Sequence, residues 1–139
     1  MSVPVLEAGD VTKHYGGVRA LQRARFSLRA GEVHALIGEN GAGKSTLARI
    51  LAGATVADSA SIAIDGAPVH IRHPRDAQRL GIGIILQELD QFPSLTAGEN
   101  MVIGNLHFAG GRIDAFCRPF FDQVGLACGP GERVESLSI

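Results

Sequence analysis

Gly38-Glu39-Asn40-Gly41-Ala42-Gly43-Lys44-Ser45-Thr46 is the stretch whose residue types and spacing could do chemistry. It reads G-x-x-x-x-G-K-S, the P-loop pattern. Its glycines let the backbone curl until several N–H groups point at one anion. Those donors, with the positive end of a following helix, suit the α- and β-phosphates of a nucleotide. Gly38, Asn40, Gly41, Ala42, Gly43 and Thr46 are candidates through this backbone cradle. Lys44 can reach the β- and γ-phosphates, and the Ser45 hydroxyl can ligate Mg²⁺. The bland alternative is a glycine-rich turn that happens to precede a lysine. The flanks speak against it. Val33-His34-Ala35-Leu36-Ile37 is an apolar run suited to a buried strand, and Ser45 to Ala52 is a good helix with Gly53 as its stop. Strand, glycine loop, helix is the context the motif requires.

Other elements must position that loop. Val3 to Val11 reads as a first strand, and His14-Tyr15-Gly16-Gly17 as a turn. Val18 to Leu28 alternates between apolar and basic residues, as a half-buried strand does. Ser61 to Ile64 and Pro68 to Ile71 flank Asp65-Gly66, a hairpin signal. Pro74 to Leu80 suits a short helix with proline in its first turn and Gly81 as its stop. Ile82 to Leu86 is a second fully apolar strand, ending at Gln87-Glu88. Thr96 to Ile103 reads as a helix with a Thr96/Glu99 capping box, weakened by Gly98 by roughly 1 kcal/mol relative to alanine. Arg112 to Leu126 reads as a last helix that Pro119 should kink or divide.

The bulk numbers set bounds. The 139 residues suffice for one domain with a core, and 45% hydrophobic against 19% charged residues indicates a globular chain. A net charge of −1 offers no broad electrostatic case for nucleic acid. Cys117 and Cys128 fit neither a zinc site nor a disulfide framework, which favours a reducing compartment. The five histidines are scattered, as surface or core residues are. No apolar run approaches the length of a membrane span, and no basic-then-apolar leader opens the chain. Any membrane link is expected to come through a partner.

The order of Tyr15, the P-loop, Gln87 after an apolar strand, and Leu137-Ser138 resembles the nucleotide-binding subunit of an ABC transporter. Gly38 to Leu47 resembles that family's Walker A, and Gly81 to Leu89 its Q-loop strand. Gln87-Glu88-Leu89, Pro93-Ser94-Leu95-Thr96-Ala97-Gly98-Glu99-Asn100 and Pro74-Arg75-Asp76-Ala77-Gln78 narrow the resemblance to ATPases of bacterial monosaccharide importers, of the ribose, xylose and galactose type. Leu86 and Gly98 depart from the residues common there, histidine and alanine. The fold implied is α/β, a P-loop NTPase (ABC ATPase) core with an antiparallel β subdomain, all of residues 1–139 being part of one nucleotide-binding domain. An intact P-loop resembles the first of the two halves fused in such importers.

The resemblance also implies roles. Tyr15 would stack on adenine, which suits an aromatic face beside a glycine turn. An ordinary strand-end tyrosine is the alternative. Gln87 would contact Mg²⁺ and the attacking water, where a solvated strand-end glutamine is the alternative. Leu89 to Leu95 would face a transmembrane permease, with Phe92 and Pro93 as an apolar patch. ATP and Mg²⁺ would be the cofactors. A second nucleotide-binding domain would be a partner and a periplasmic sugar-binding protein an indirect one, with no nucleic acid, at the cytoplasmic face of the inner membrane. Leu137-Ser138-Ile139 resembles the opening of the ABC signature, and the Walker B aspartate, catalytic glutamate and switch histidine are not among these residues. The expectation is therefore a domain truncated before the signature and Walker B motifs, binding ATP without turnover, and poorly stable or self-associating where its apolar strands lack cover. Three alternatives stand beside it. They are an ABC ATPase acting on ribosomes or DNA, a P-loop kinase or GTPase, and an inactive structural fragment. No guanine-reading Asn/Thr-Lys-x-Asp occurs.

Overall fold

The computed structural model describes residues 3–85, 91–105 and 107–137. It falls into two compact units, Met1–Ile85 and Leu86–Ile139.

The first unit is built on an antiparallel sheet of four strands: β1 (Leu6–Tyr15), β2 (Val18–Leu28), β3 (Ser59–Ile64) and β4 (Ala67–Val69). Their order is β2-β1-β3-β4, with every pairing antiparallel. β2 has the bounds its alternation predicts. β1 starts three residues later than expected and runs on through His14 and Tyr15, so only Gly16-Gly17 turns. The hairpin to β2 ends on the Tyr15–Val18 pair. Asp65 and Gly66 both have positive φ, 49° and 78°, which a two-residue hairpin loop of type I′ requires.

Leu6, Ala8 and Val11 are the buried residues of β1. The step from Ala8 to Val11 breaks strict alternation. Register shifts there against β2, and Asp10 takes a left-handed φ of 48°. The irregularity returns Val11 to the core face after an odd number of residues. Helices α1 (Lys44–Leu51) and α2 (Pro74–Arg79) supply the rest of the core, in which Leu47, Ile50, Leu51 and Ala77 pack with Leu21, Ile62 and Ile71.

Two expected strands are not formed. Residues 33–37 and 82–85 carry no strand pairing, and Val33, Ile37 and Ile85 are more than nine-tenths exposed. A strand apolar on both faces is stable only between parallel neighbours with cover on each side. Among the described residues no strand pairs with either segment. Leu86 lies outside the described residues.

The second unit contains α3 (Ala97–Val102), α4 (Ile113–Val124) and a short 3₁₀ turn at Val134–Ser136. Thr96 caps α3 as expected. Its side chain accepts the Glu99 N–H at 3.1 Å, and its own N–H donates to Glu99 Oε2 at 2.8 Å. Two expectations are corrected. Pro119 does not divide α4, which runs unbroken across it. Ala115 and Pro119 are both exposed, so water can serve the carbonyl that proline cannot bond, while Cys117 and Phe121 anchor the opposite face. Gly98 is no weak point either. A Cβ there would lie 2.8 Å from Ile113 Cγ2 and 2.9 Å from the Pro130 oxygen. Close approach of the 130–133 segment to α3 requires glycine.

Candidate functional site

The loop between residues 38 and 43 is shaped by two glycines of positive φ, Gly41 at 87° and Gly43 at 84°. The Ala42 N–H donates to the Glu39 carbonyl at 3.1 Å and closes a turn inside it. Gly43 is the N-cap of α1 and offers no side chain to the free N–H groups of the first turn. That turn holds no acidic residue, so its partial positive charge is unopposed. Gly43 also abuts β2, where an added Cβ would stand 2.5 Å from the Ala20 carbonyl oxygen and 2.6 Å from Leu21 Cδ2. Sheet and loop thus meet at a position only glycine can fill.

Lys44 Nζ donates to the carbonyls of Gly38 and Glu39, each at 2.7 Å. An ammonium has three donors. Two of them tie the start of the loop to its end. Ser45 is exposed on the first turn and Thr46 is half-buried behind it. Asn40 is exposed on the loop.

Tyr15 ends β1 at the hairpin tip and is 47% exposed. Lys13 Nζ lies 5.3 Å from its ring centroid. Opposite these residues β2 runs from Val18 into Ala20, the residue that touches Gly43. Tyr15 and Ala20 thus lie on the same β1–β2 hairpin, Tyr15 at its tip and Ala20 against Gly43. Gln87 and Leu89 lie outside the described residues. Phe92 is 53% exposed. Its segment is held by Asn100, whose side chain accepts the Phe92 N–H at 2.8 Å and donates to the Phe92 carbonyl at 3.0 Å.

Asp58 is not marked by the sequence, and Asn100 enters there only as part of the Pro93–Asn100 motif, with no structural role. Asp58 accepts from the His14 backbone N–H at 2.7 Å and pairs with His14 Nδ1 at 2.8 Å and Lys13 Nζ at 3.3 Å. The His14 side-chain bond, then its backbone bond, hold the Asp58 carboxyl below its ordinary range. No local pattern marks it, because its partners lie over forty residues away. Asn100 is the fourth residue after Thr96, where an amide looks like any helix-surface residue. Among the described residues no cluster of three or more His, Cys, Asp or Glu side chains is placed to hold a metal ion. No described helix is long and apolar enough to cross a membrane.

Residues 21–139 match the family model described as ABC transporter. The chain belongs to the ABC transporter family. Among its relatives, a ribose import ATP-binding protein of Rhodococcus jostii is 44% identical over 99% of this chain and 29% of its own length. An arabinose import ATP-binding protein of Rhizobium meliloti is 45% identical over 96% of this chain and 27% of its own. This ABC transporter chain thus spans under a third of the length of these relatives. The crystal structure of a nucleotide-free ATP-binding cassette from an ABC transporter matches the fold with a TM-score of 0.79, at 21% identity, over 97% of this chain and 59% of that one. Over the part it spans, the fold of this ABC transporter chain is that of part of an ATP-binding cassette.

Proposed function

We propose that the chain is part of a nucleotide-binding domain of an ABC importer, binding ATP to drive uptake of a monosaccharide. The observation that carries the reading is the loop itself: an uncapped, acid-free helix start behind two positive-φ glycines, spanned by Lys44. The names of the relatives, which are ribose and arabinose import proteins, support the sugar.

In this reading the backbone of Gly38, Asn40, Gly41, Ala42 and Gly43, with Thr46, cradles the α- and β-phosphates. Lys44 offsets charge on the β- and γ-phosphates, and Tyr15 carries the adenine. In the whole protein, water adds to the γ-phosphorus as the bond to the bridging oxygen breaks, giving ADP and inorganic phosphate. Ser45, whose exposed hydroxyl sits on a first turn without acidic residues, and Gln87, by the family resemblance, would hold Mg²⁺. The chemistry Mg²⁺ would supply there is neutralisation of phosphate charge. Partners are a transmembrane permease, met near Leu89–Leu95, a second nucleotide-binding domain and, indirectly, a periplasmic sugar-binding protein. The site of action is the cytoplasmic face of a bacterial inner membrane.

The test is titration of a fluorescent ATP analogue, with Mg²⁺, into the chain and into Lys44→Ala. Saturable binding that Lys44→Ala largely abolishes supports the reading; equal binding by both refutes it. Assayed alone, these 139 residues are expected to bind without sustained turnover, since none is a counterpart of the family's water-activating glutamate. Turnover at the rate of an intact transporter would contradict that.

A further inference from the structure

The β1–β3 ladder stops at the Thr12–Ser59 pair, three residues short of Tyr15. Beyond it, among the described residues, β1 has no strand partner on that side, yet it stays extended. Asp58 takes the place of the missing partner. Its N–H donates to the Thr12 carbonyl at 2.9 Å, and its carboxylate accepts the His14 N–H at 2.7 Å. The same carboxylate pairs with the His14 ring nitrogen at 2.8 Å. It also meets Lys13 Nζ at 3.3 Å, in a lysine side chain only 17% exposed. That ammonium in turn sits 5.3 Å from the Tyr15 ring centroid. A lysine so covered is not a freely solvated group. It is held between an anion and the aromatic.

We propose that Asp58 is a positioning residue for Tyr15, its carboxylate fixing the end of β1 and seating Lys13 on the ring so that Tyr15 is presented as a preset platform for a nucleotide base. The inference rests on the reading of Tyr15 as the base-stacking residue. A platform whose backbone and cation are already fixed loses less freedom when a base docks, and so binds it more tightly. An ordinary surface ion pair would do nothing of the kind.

Base and phosphate contributions separate by ligand. ATP and inorganic tripolyphosphate, each with Mg²⁺, are titrated calorimetrically into the full chain and into Tyr15→Ala, Asp58→Asn, Lys13→Met and the Tyr15→Ala/Asp58→Asn pair. Tyr15→Ala is expected to weaken ATP about tenfold and leave tripolyphosphate within about twofold, as loss of a base–aromatic stack implies. Asp58→Asn is expected to weaken ATP by about threefold to tenfold with tripolyphosphate unchanged, and to add nothing once Tyr15 is alanine. Equal losses for both ligands, or no loss on Asp58→Asn where Tyr15→Ala is selective, overturn the role of Asp58. A Tyr15→Ala chain with no selectivity overturns the platform reading, and this inference with it. Should Asp58→Asn not fold, Lys13→Met decides, because it keeps the carboxylate's bonds to His14. A loss selective for ATP supports the proposal and an unchanged ATP affinity overturns it.

Discussion

Lys44 and Gly38 are joined across the loop by a 2.7 Å hydrogen bond from ammonium to carbonyl. The side chain that would meet phosphate also sets the curvature of the backbone that would surround it. Lys44→Arg therefore tests shape apart from charge. A planar guanidinium keeps the charge and cannot reproduce the compact ammonium's bonds to both carbonyls. We expect Lys44→Arg to weaken ATP by roughly tenfold or more, as the loss of one charged hydrogen bond implies. Calorimetry showing near wild-type affinity would mean that charge alone matters there.

Gly98→Ala separates helix propensity from packing. Propensity alone would stabilise α3 by roughly 1 kcal/mol. The clash of the new methyl with Ile113 and the Pro130 carbonyl opposes that. We expect net destabilisation of about 1–3 kcal/mol, the range for overpacking, read from urea unfolding. A stabilised variant would show that the 130–133 segment can yield.

Pro119→Ala should raise stability by about 1–2 kcal/mol. The helix is already continuous, and the substitution restores a donor to the exposed Ala115 carbonyl without touching Cys117 or Phe121. Thermal melts of the two chains decide it, and a lower midpoint for alanine would assign the proline a packing role.

Acid should loosen the chain through three carboxylates. The Thr96 N–H and then its hydroxyl hold Glu99 below its ordinary range, the N–H groups of Arg72 and then His73 do the same for Asp76, and His14 does so for Asp58. Each is lowered in the folded state, so its contribution is complete above the ordinary carboxylate value of about 4 and fades as pH falls below it. Melting midpoints from pH 6 to pH 3 should fall at the acid end. Glu99→Gln should begin lower and fall less steeply. Parallel curves would exclude Glu99 from the acid response.

What was legible in the sequence was local. The alternation of Val18–Leu28 fixes a strand because one face is buried, and Asp65-Gly66 and the Thr96/Glu99 box are self-contained turns and caps. The P-loop is legible for the same reason, since its glycines and lysine act within nine residues. Non-local partners were not legible. Asp58 reaches back to Lys13 and His14, and Gly98 is constrained by Pro130. Val33–Ile37 has the composition of a buried strand, but a strand also needs neighbours to bond. Proline's intrinsic effect predicts a break at Pro119, but exposure of its face lets the helix continue.

The exposed apolar side chains of residues 33–37 and 82–85 bear on how such a chain behaves in the making. Exposed β-branched side chains outside any strand pairing, such as Val33, Ile37 and Ile85, are the raw material of cross-β stacking. One segment leads directly into the loop at Gly38, so deleting it would also disturb the loop proposed to hold the nucleotide. Preparations are therefore best made cold, dilute and with a chaperone present, and light scattering rather than enzymology is the first gauge of their quality.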